Sequence, residues 1–161
     1  MTNLADTVAS ELAAYFEGIA AKVHKWVDPL SDEQFWRNPF SHGNSVGHVV
    51  LHLTGNLSYY IGAQIAGTGY IRNRDREFTE ADRPDKASVL ANFDRAIHMV
   101  VDTVRKQSPE DWSKPYSAER STEKNRFGIV LSCAAHADHH AGQIIYLSRE
   151  LSAPASRSVA I

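Results

Sequence analysis

Histidine is the residue type whose spacing along this chain could do chemistry. Eight occur, and five of them fall into two clusters: His48 and His52, then His136, His139 and His140. Residues four apart on an α-helix differ by only ~40° in direction and share a face, so His136 and His140 can bind one ion together. Zinc or nickel takes imidazole nitrogens at ~2.0–2.1 Å, and a third ligand from a facing helix completes such a site. His52 is the favoured third ligand, because Val49, Val50, Leu51 and Leu53 surround it in an apolar run. His48, one turn nearer the start of its helix, is either a fourth ligand or a rim residue. His139 lies ~60° from His136 on the side away from His140 and is expected to face outward or toward a neighbour. Three histidines without a fourth protein ligand leave a position for water or substrate. A water held there can have its pKa lowered from ~15.7 toward ~7. The plainer reading makes each histidine an ordinary hydrogen-bonded or exposed residue, since an isolated H-x-x-x-H recurs by chance. Two clusters on helices that must pack together weigh against it.

Other chemistry-bearing residues are fewer. Asn56 lies one turn beyond His52, and Gln143 three residues beyond His140, so both can orient ligands or a bound water. Gln143 could equally bond to backbone. Tyr59 and Tyr60 could line a pocket mouth or simply fill the core. Arg72, Arg74 and Arg76 alternate with Asn73, Asp75 and Glu77. In an extended loop their guanidinium groups would point one way and could grip a carboxylate or phosphate; a solvated loop of self-compensating charges is the competing expectation. Cys133 falls on an apolar stripe with Val130, Ala137 and Ala141, as a buried, inert thiol would. No H-E-x-x-H occurs, and Asp138 projects from a different face than His136 and His140, so the motif holds no peptidase-type base. Neither a Gly-rich phosphate loop nor a dinucleotide fingerprint is present.

The elements that must position these residues are four long helical stretches. Over residues 6–26, Val8, Leu12, Phe16, Ile19 and Val23 recur at steps of three or four, and Pro29 follows. Asn44-Ser45 is a good N-cap pair for a second stretch reaching Gly67, with Val46, Val49, Val50, Leu53, Leu57, Ile61 and Ile65. A third spans 85–106 with Val89, Phe93, Ile97, Val100 and Val104 on one stripe. A fourth spans 126–151 with Ile129, Val130, Cys133, Ala137, Ala141, Ile144 and Leu147. Each is ~30–38 Å long at 1.5 Å per residue, and with no convincing hairpin they predict an all-α, antiparallel four-helix bundle. Ser31-Asp32-Glu33-Gln34 reads as a capping box, and Ser108-Pro109 as an N-cap with Pro at the first helical position, each opening a short helical turn. The 67–84 connection is long and dense in charge, a length usually functional or disordered.

Composition narrows the class. The chain has 161 residues, 17 Lys+Arg against 19 Asp+Glu, and a formal charge of −2. At 43% hydrophobic and 22% charged it reads as an ordinary globular chain. Near-neutral balance gives no footprint for nucleic acid, and no basic run suggests a membrane surface. A single Cys cannot form an internal disulfide, which fits a reducing compartment. The opening residues lack a basic n-region and an apolar h-region, and no apolar run approaches ~18 residues, so a cytoplasmic location is expected.

Two motifs carry a resemblance to the DinB/YfiT-like superfamily of metalloenzymes. One is Asn44-Ser45-Val46-Gly47-His48-Val49-Val50-Leu51-His52-Leu53, whose last His occupies that family's first ligand position. The other is His136-Ala137-Asp138-His139-His140-Ala141-Gly142-Gln143, similar to its H-x-x-x-H-x-G-Q on the last bundle helix. His52 to Asn56 and Asn73 to Phe78 resemble one branch of unknown function. The resemblance covers nearly the whole chain. The tail at 152–161, rich in Ser and Ala, reads on composition as a frayed end or dimer arm; the resemblance implies an up-down-down-up bundle, here over residues 1–151, and a homodimer. It implies nickel or zinc on His52, His136 and His140. It further implies chemistry such as transfer of low-molecular-weight bacterial thiols (bacillithiol, mycothiol) or isomerisation of maleylpyruvate. Ala141 departs from the pattern, since relatives often carry Arg there, and the departure implies the loss of a substrate contact at that point.

The reading is a metal-dependent enzyme acting on small molecules, with a thiol S-transferase placed ahead of a hydrolase. Its rival is a non-catalytic metal-binding dimer whose ion is closed off by four protein ligands. The residues assigned are His52, His136 and His140 as metal ligands, and His48 as an added ligand or rim. Asn56, Tyr59 and Gln143 are assigned as supporting or pocket residues, and Arg74 as a contact for a substrate anion.

Overall fold

The structure, a computed structural model, describes residues 3–79 and 81–153. The expected tail at 152–161 therefore lies, beyond Ala153, outside the described residues. Four long rods dominate: α1 (Leu4–Val27), α3 (Val46–Leu57) with its π-helical continuation (Ser58–Ala66), α5 (Lys86–Arg105) and α7 (Arg126–Ser152). Three short helices sit in the connections, α2 (Asp32–Trp36), α4 (Arg76–Thr79) and α6 (Pro109–Ser113). No strand occurs among the described residues, and none of their helices is long and apolar enough to cross a membrane.

Each rod starts where a short polar side chain satisfies an otherwise unpaired first-turn amide. Asn3, Ser45, Asp85 and Asn125 accept from the N–H groups of Asp6, His48, Ser88 and Gly128. Ser31 with Gln34, and Ser108 with Asp111, form reciprocal capping boxes that open α2 and α6. The expected apolar stripes meet in one core: Phe16, Ile19 and Val23 from α1, Val50, Leu53 and Leu57 from α3, Phe93, Val100 and Val104 from α5, Val130 and Ile144 from α7, all essentially sealed from solvent. Burial of one such large aliphatic or aromatic side chain stabilises the fold by about 1.5–3 kcal/mol.

Pairwise contacts give the direction of each rod. His24 meets Asp94 and Glu17 meets Arg105, so α5 runs antiparallel to α1. Lys22 meets Asp138 and Arg149 lies over the Trp26 ring, so α7 runs parallel to α1. His52 meets His136, while Val49 shares a surface recess with Leu147 and Asn56 another with Cys133, so α3 runs antiparallel to α7. The order is up-down-down-up, and α3 and α5 are consecutive rods pointing the same way. That geometry explains the long 67–84 connection. The chain leaving the π segment must travel back roughly the ~30 Å length of a 20-residue helix before α5 can begin. On the way it crosses the α3 face that carries His52.

Candidate metal centre

α3 and α7 present their histidines to one another. Ala134, Ala137 and Ala141 are buried along α7. The ring centroids of His52 and His136 are 5.1 Å apart, those of His52 and His140 4.8 Å, and those of His136 and His140 4.4 Å. One ligand nitrogen from each lies within 4.8 Å of the other two. These three residues could hold a metal ion.

The rings are also held in the form that a metal requires. His52, buried, has its Nδ1 2.8 Å from Glu77 Oε2. Glu77 comes from α4 on the return connection and is itself buried. Arg72 grips it with two bonds, Nε to Oε1 at 2.7 Å and a terminal nitrogen to Oε2 at 2.8 Å. Burial opposes ionisation of Glu77, but the hydrogen bonds from Arg72 and His52 outweigh it and hold its pKa below the ordinary value. A carboxylate can only accept, so His52 donates through Nδ1 and turns its Nε2 toward His136. His140 makes the analogous bond, Nδ1 to Gln143 Oε1 at 2.7 Å. His136 is pushed down to about 4, first by burial and then by the neighbouring His140, His52 and Arg72. Burial also lowers His140, against an opposing contribution from the Gln143 bond. His136 and His140 are therefore neutral at pH 7.

A fit test follows from the closest approach. His52 Nε2 and His136 Nε2 are 3.0 Å apart, a separation at which two lone pairs repel unless a proton or a cation lies between them. Imidazole nitrogens bound at ~2.0–2.1 Å in tetrahedral geometry stand ~3.3 Å from one another. The donor set and its spacing suit a divalent ion.

Comparison with known proteins places this chain. Residues 3–161 match the family described as "Protein of unknown function (DUF1572)". The chain belongs to that family. A search of curated proteins found no match.

The structure brings some of the assigned residues of this DUF1572 protein to the histidine cluster and leaves others outside it. Gln143 bonds His140 as described and reaches His139 Nε2 at 3.4 Å; His139 is exposed at the outer edge of the cluster. Cys133 is buried and its thiol is pushed up to about 12 by desolvation, leaving it inert. Asp138 turns away to Lys22. His48 is not drawn into the cluster: its Nδ1 lies 2.7 Å from Ser45 Oγ, and its ring packs edge-on against Trp36. The three arginines do not point one way, because the extended stretch ends in a turn and α4 begins at Arg76. Arg72 goes inward to Glu77, Arg74 lies over the Phe78 ring at 5.2 Å, and Arg76 meets Asp82. Phe78 in turn packs on His52 with centroids 4.9 Å apart. Arg74 is thus one layer removed from the histidines.

One recess reaches the cluster at His136, and a second lies next to that recess. An inner cavity of about 250 Å³ is lined by Asn56, Tyr60, Cys133 and His136, with Arg120 and Glu123 toward the loop 114–125. An outer cleft of about 630 Å³ is lined by Tyr59, Tyr60, Arg74 and Arg120 among others. Tyr60 and Arg120 border both, so the two are neighbours.

Glu77 and its anchor Arg72 are the site residues that the sequence did not reveal. One signal was available. Gly55 stands in mid-helix, where glycine costs about 1 kcal/mol relative to alanine, and a Cβ there would lie 2.1 Å from Glu77 Oε1. The glycine marks the place where the return connection presses against α3.

Proposed function

We propose that this protein is a metal-dependent enzyme for small molecules, with the ion held by His52, His136 and His140, and that its reaction is the transfer of a thiol. The observation that carries the reading is the set of three mutually facing imidazoles, two with Nδ1 bonded to an oxygen, beside a cavity that His136 helps to line. A divalent ion supplies Lewis acidity, the means by which a thiol or a water reaches its anionic form near neutral pH. A soft thiolate suits zinc or nickel. The resemblance to DinB/YfiT-like metalloenzymes supports the same choice and also suggests a homodimer.

The chain's own residues divide the work. Glu77 and Arg72 fix the orientation of His52, and Gln143 that of His140. Phe78 covers one face of His52 and keeps water from it. Tyr59, Arg74 and Arg120 line the outer cleft, where an anionic part of the substrate would rest. Both oxygens of Glu77 are engaged, which makes it a poor base for water; the preference for thiol transfer over hydrolysis rests on the resemblance. One observation favours the hydrolase as second reading: Glu123 lines the inner cavity together with His136.

Elemental analysis of protein purified without chelator, with thermal shift under added Zn²⁺ and Ni²⁺, tests the metal. Binding to the folded state stabilises it by about 2.7 kcal/mol at a free concentration of 100 Kd. Assays of the loaded protein with thiols plus electrophilic acceptors, and with ester and amide substrates, separate the two reactions. Absence of turnover in both, with four protein ligands on the ion, would establish the non-catalytic alternative.

A further inference from the structure

We infer that the inner cavity takes an extended thiol whose far end carries both an ammonium and a carboxylate, as the amino-acid end of a small peptide does. Glu123 receives the ammonium and Arg120 the carboxylate. The inference rests on the metal reading above and deepens it by naming the substrate class.

The cavity runs along α7. Ile129, Ser132, Cys133 and His136 line it, and the helix covers ~10 Å between the first and last of these. His136 marks one end. Glu123 marks the other, for its Oε2 lies against Gly128, where a Cβ would come within 2.9 Å of it. Gly128, Ser132 and His136 follow at steps of four, so the carboxylate rests on the side of the helix that leads to the imidazole. A volume of about 250 Å³ over that length admits an extended chain reaching from one end to the other.

Glu123 is partly buried, yet its carboxylate makes no hydrogen bond or ion pair among the described residues, and its oxygens are not sealed from solvent. Such a group destabilises the fold, because it has lost part of its hydration and nothing replaces it. Arg120 is the other charged group of the lining. It does not pair with Glu123; its ion pair is with Glu119, at 3.6 Å between two largely exposed side chains, and contributes little. Its backbone has φ +62°, the left-handed region that arginine enters only at a cost.

The loop holds the two charges in place. Tyr116 N–H donates to Lys124 O at 3.0 Å and Arg126 N–H to Lys114 O at 3.1 Å, closing its base. Tyr60 Oη donates to Glu119 O at 3.2 Å, tying its tip to the π segment. A ligand with a single charge would find one of the two groups repulsive. A ligand with both charges satisfies each, and the fixed loop spares it the cost of ordering them.

The test uses protein loaded with one equivalent of Co²⁺, whose visible spectrum reports a thiol entering the coordination shell. Three probes have chains of similar length and differ at the far end: 6-amino-1-hexanethiol is cationic, 6-mercaptohexanoate anionic and 6-mercapto-1-hexanol neutral. A fourth, γ-glutamylcysteine, carries both charges there. Wild type should bind the fourth about tenfold more tightly than the neutral probe, the scale of one charge-assisted hydrogen bond. Glu123→Gln should weaken γ-glutamylcysteine and the aminothiol about tenfold and leave the neutral probe unchanged. Arg120→Asn, which tolerates the left-handed backbone, should weaken γ-glutamylcysteine and the mercaptohexanoate and again spare the neutral probe. Both variants should bind Co²⁺ and melt as wild type does.

Affinities unchanged by both substitutions, or no thiol binding by protein that holds Co²⁺, would overturn the inference and leave the metal reading intact. A loss in only one variant would overturn the doubly charged ligand. Loss of Co²⁺ affinity in Glu123→Gln would overturn the inference in favour of ligation by the carboxylate. Failure of wild type to bind Co²⁺ at all would remove the metal reading and this inference with it.

Discussion

Two pairs of rods each bury histidine, with opposite results. Between α1 and α5, His24 directs Nδ1 to Asp28 at 3.0 Å and Nε2 to Asp94 at 2.8 Å. Burial lowers its pKa, but the two carboxylates together outweigh burial and hold it above 6.5. Between α3 and α7, His136 has no carboxylate bonded to it among the described residues and faces His52, His140 and Arg72; it is pushed down to about 4. One arrangement favours the protonated ring and engages both nitrogens with carboxylates. The other makes a neutral base with a lone pair to offer. Neighbours, not residue type, decide whether a histidine can serve as a ligand.

That contrast can be broken most forcefully at the α3–α7 pair. His136→Ala should reduce metal affinity by more than 100-fold in chelator competition, whereas His24→Ala should leave it unchanged. Equal losses in both would mean that the ion is not held where the geometry puts the donors. Next comes the support behind the ligands. Glu77→Gln keeps the size but leaves His52 without its anionic partner, and affinity should fall by roughly 10–100-fold, the usual cost of losing an outer hydrogen bond at a metal site. Gly55→Ala, whose Cβ would collide with Glu77 Oε1, should act in the same direction and also lower stability by about 1–3 kcal/mol, as overpacking does.

The pH dependence of metal-free protein sharpens the comparison, because the two histidines carry opposite signs. His136 has a folded pKa below its unfolded value near 6.5, so the unfolded chain binds more protons between that value and about 4. Its contribution is present above pH 6.5 and is lost as pH falls through that window. His24 has a raised folded pKa, so its contribution is complete below 6.5 and is lost as pH rises through the folded value. Urea midpoints across pH 4–8 should therefore flatten on the acid side in His136→Gln and on the alkaline side in His24→Gln. Smallest of all is the exposed pair Arg105–Glu17: Glu17→Gln should change stability by less than about 1 kcal/mol.

What could be read from the sequence was what depends on local order. The stripes of Phe16, Ile19 and Val23 or of Phe93, Ile97 and Val100 give the rods, Ser45 gives the start of α3, and Ser31 and Ser108 give the starts of the short helices α2 and α6. The four-residue step from His136 to His140 gives two members of one cluster, because a helix turns that spacing into adjacency without outside help. His52 needed only the packing of two apolar faces. Glu77 needed more, since its place depends on the path of a return connection that exists because α3 and α5 point the same way. Arg72 followed it, and Arg74, in the same alternating run, ended on Phe78 instead. His48 shows the limit of helical spacing, for it shares the four-residue step with His52 but is taken by Ser45 and Trp36. The π turn after Leu57 left no trace either, because Ile61 and Ile65 keep a helical step through it.

The central claim concerns how many imidazoles one ion meets, and X-ray absorption at the zinc edge counts them. Protein carrying one equivalent of Zn²⁺ should show three imidazole nitrogens at ~2.0–2.1 Å plus a non-histidine donor, and His136→Ala loaded alike should show fewer. Four imidazoles in wild type, or an unchanged number in the variant, would contradict the account.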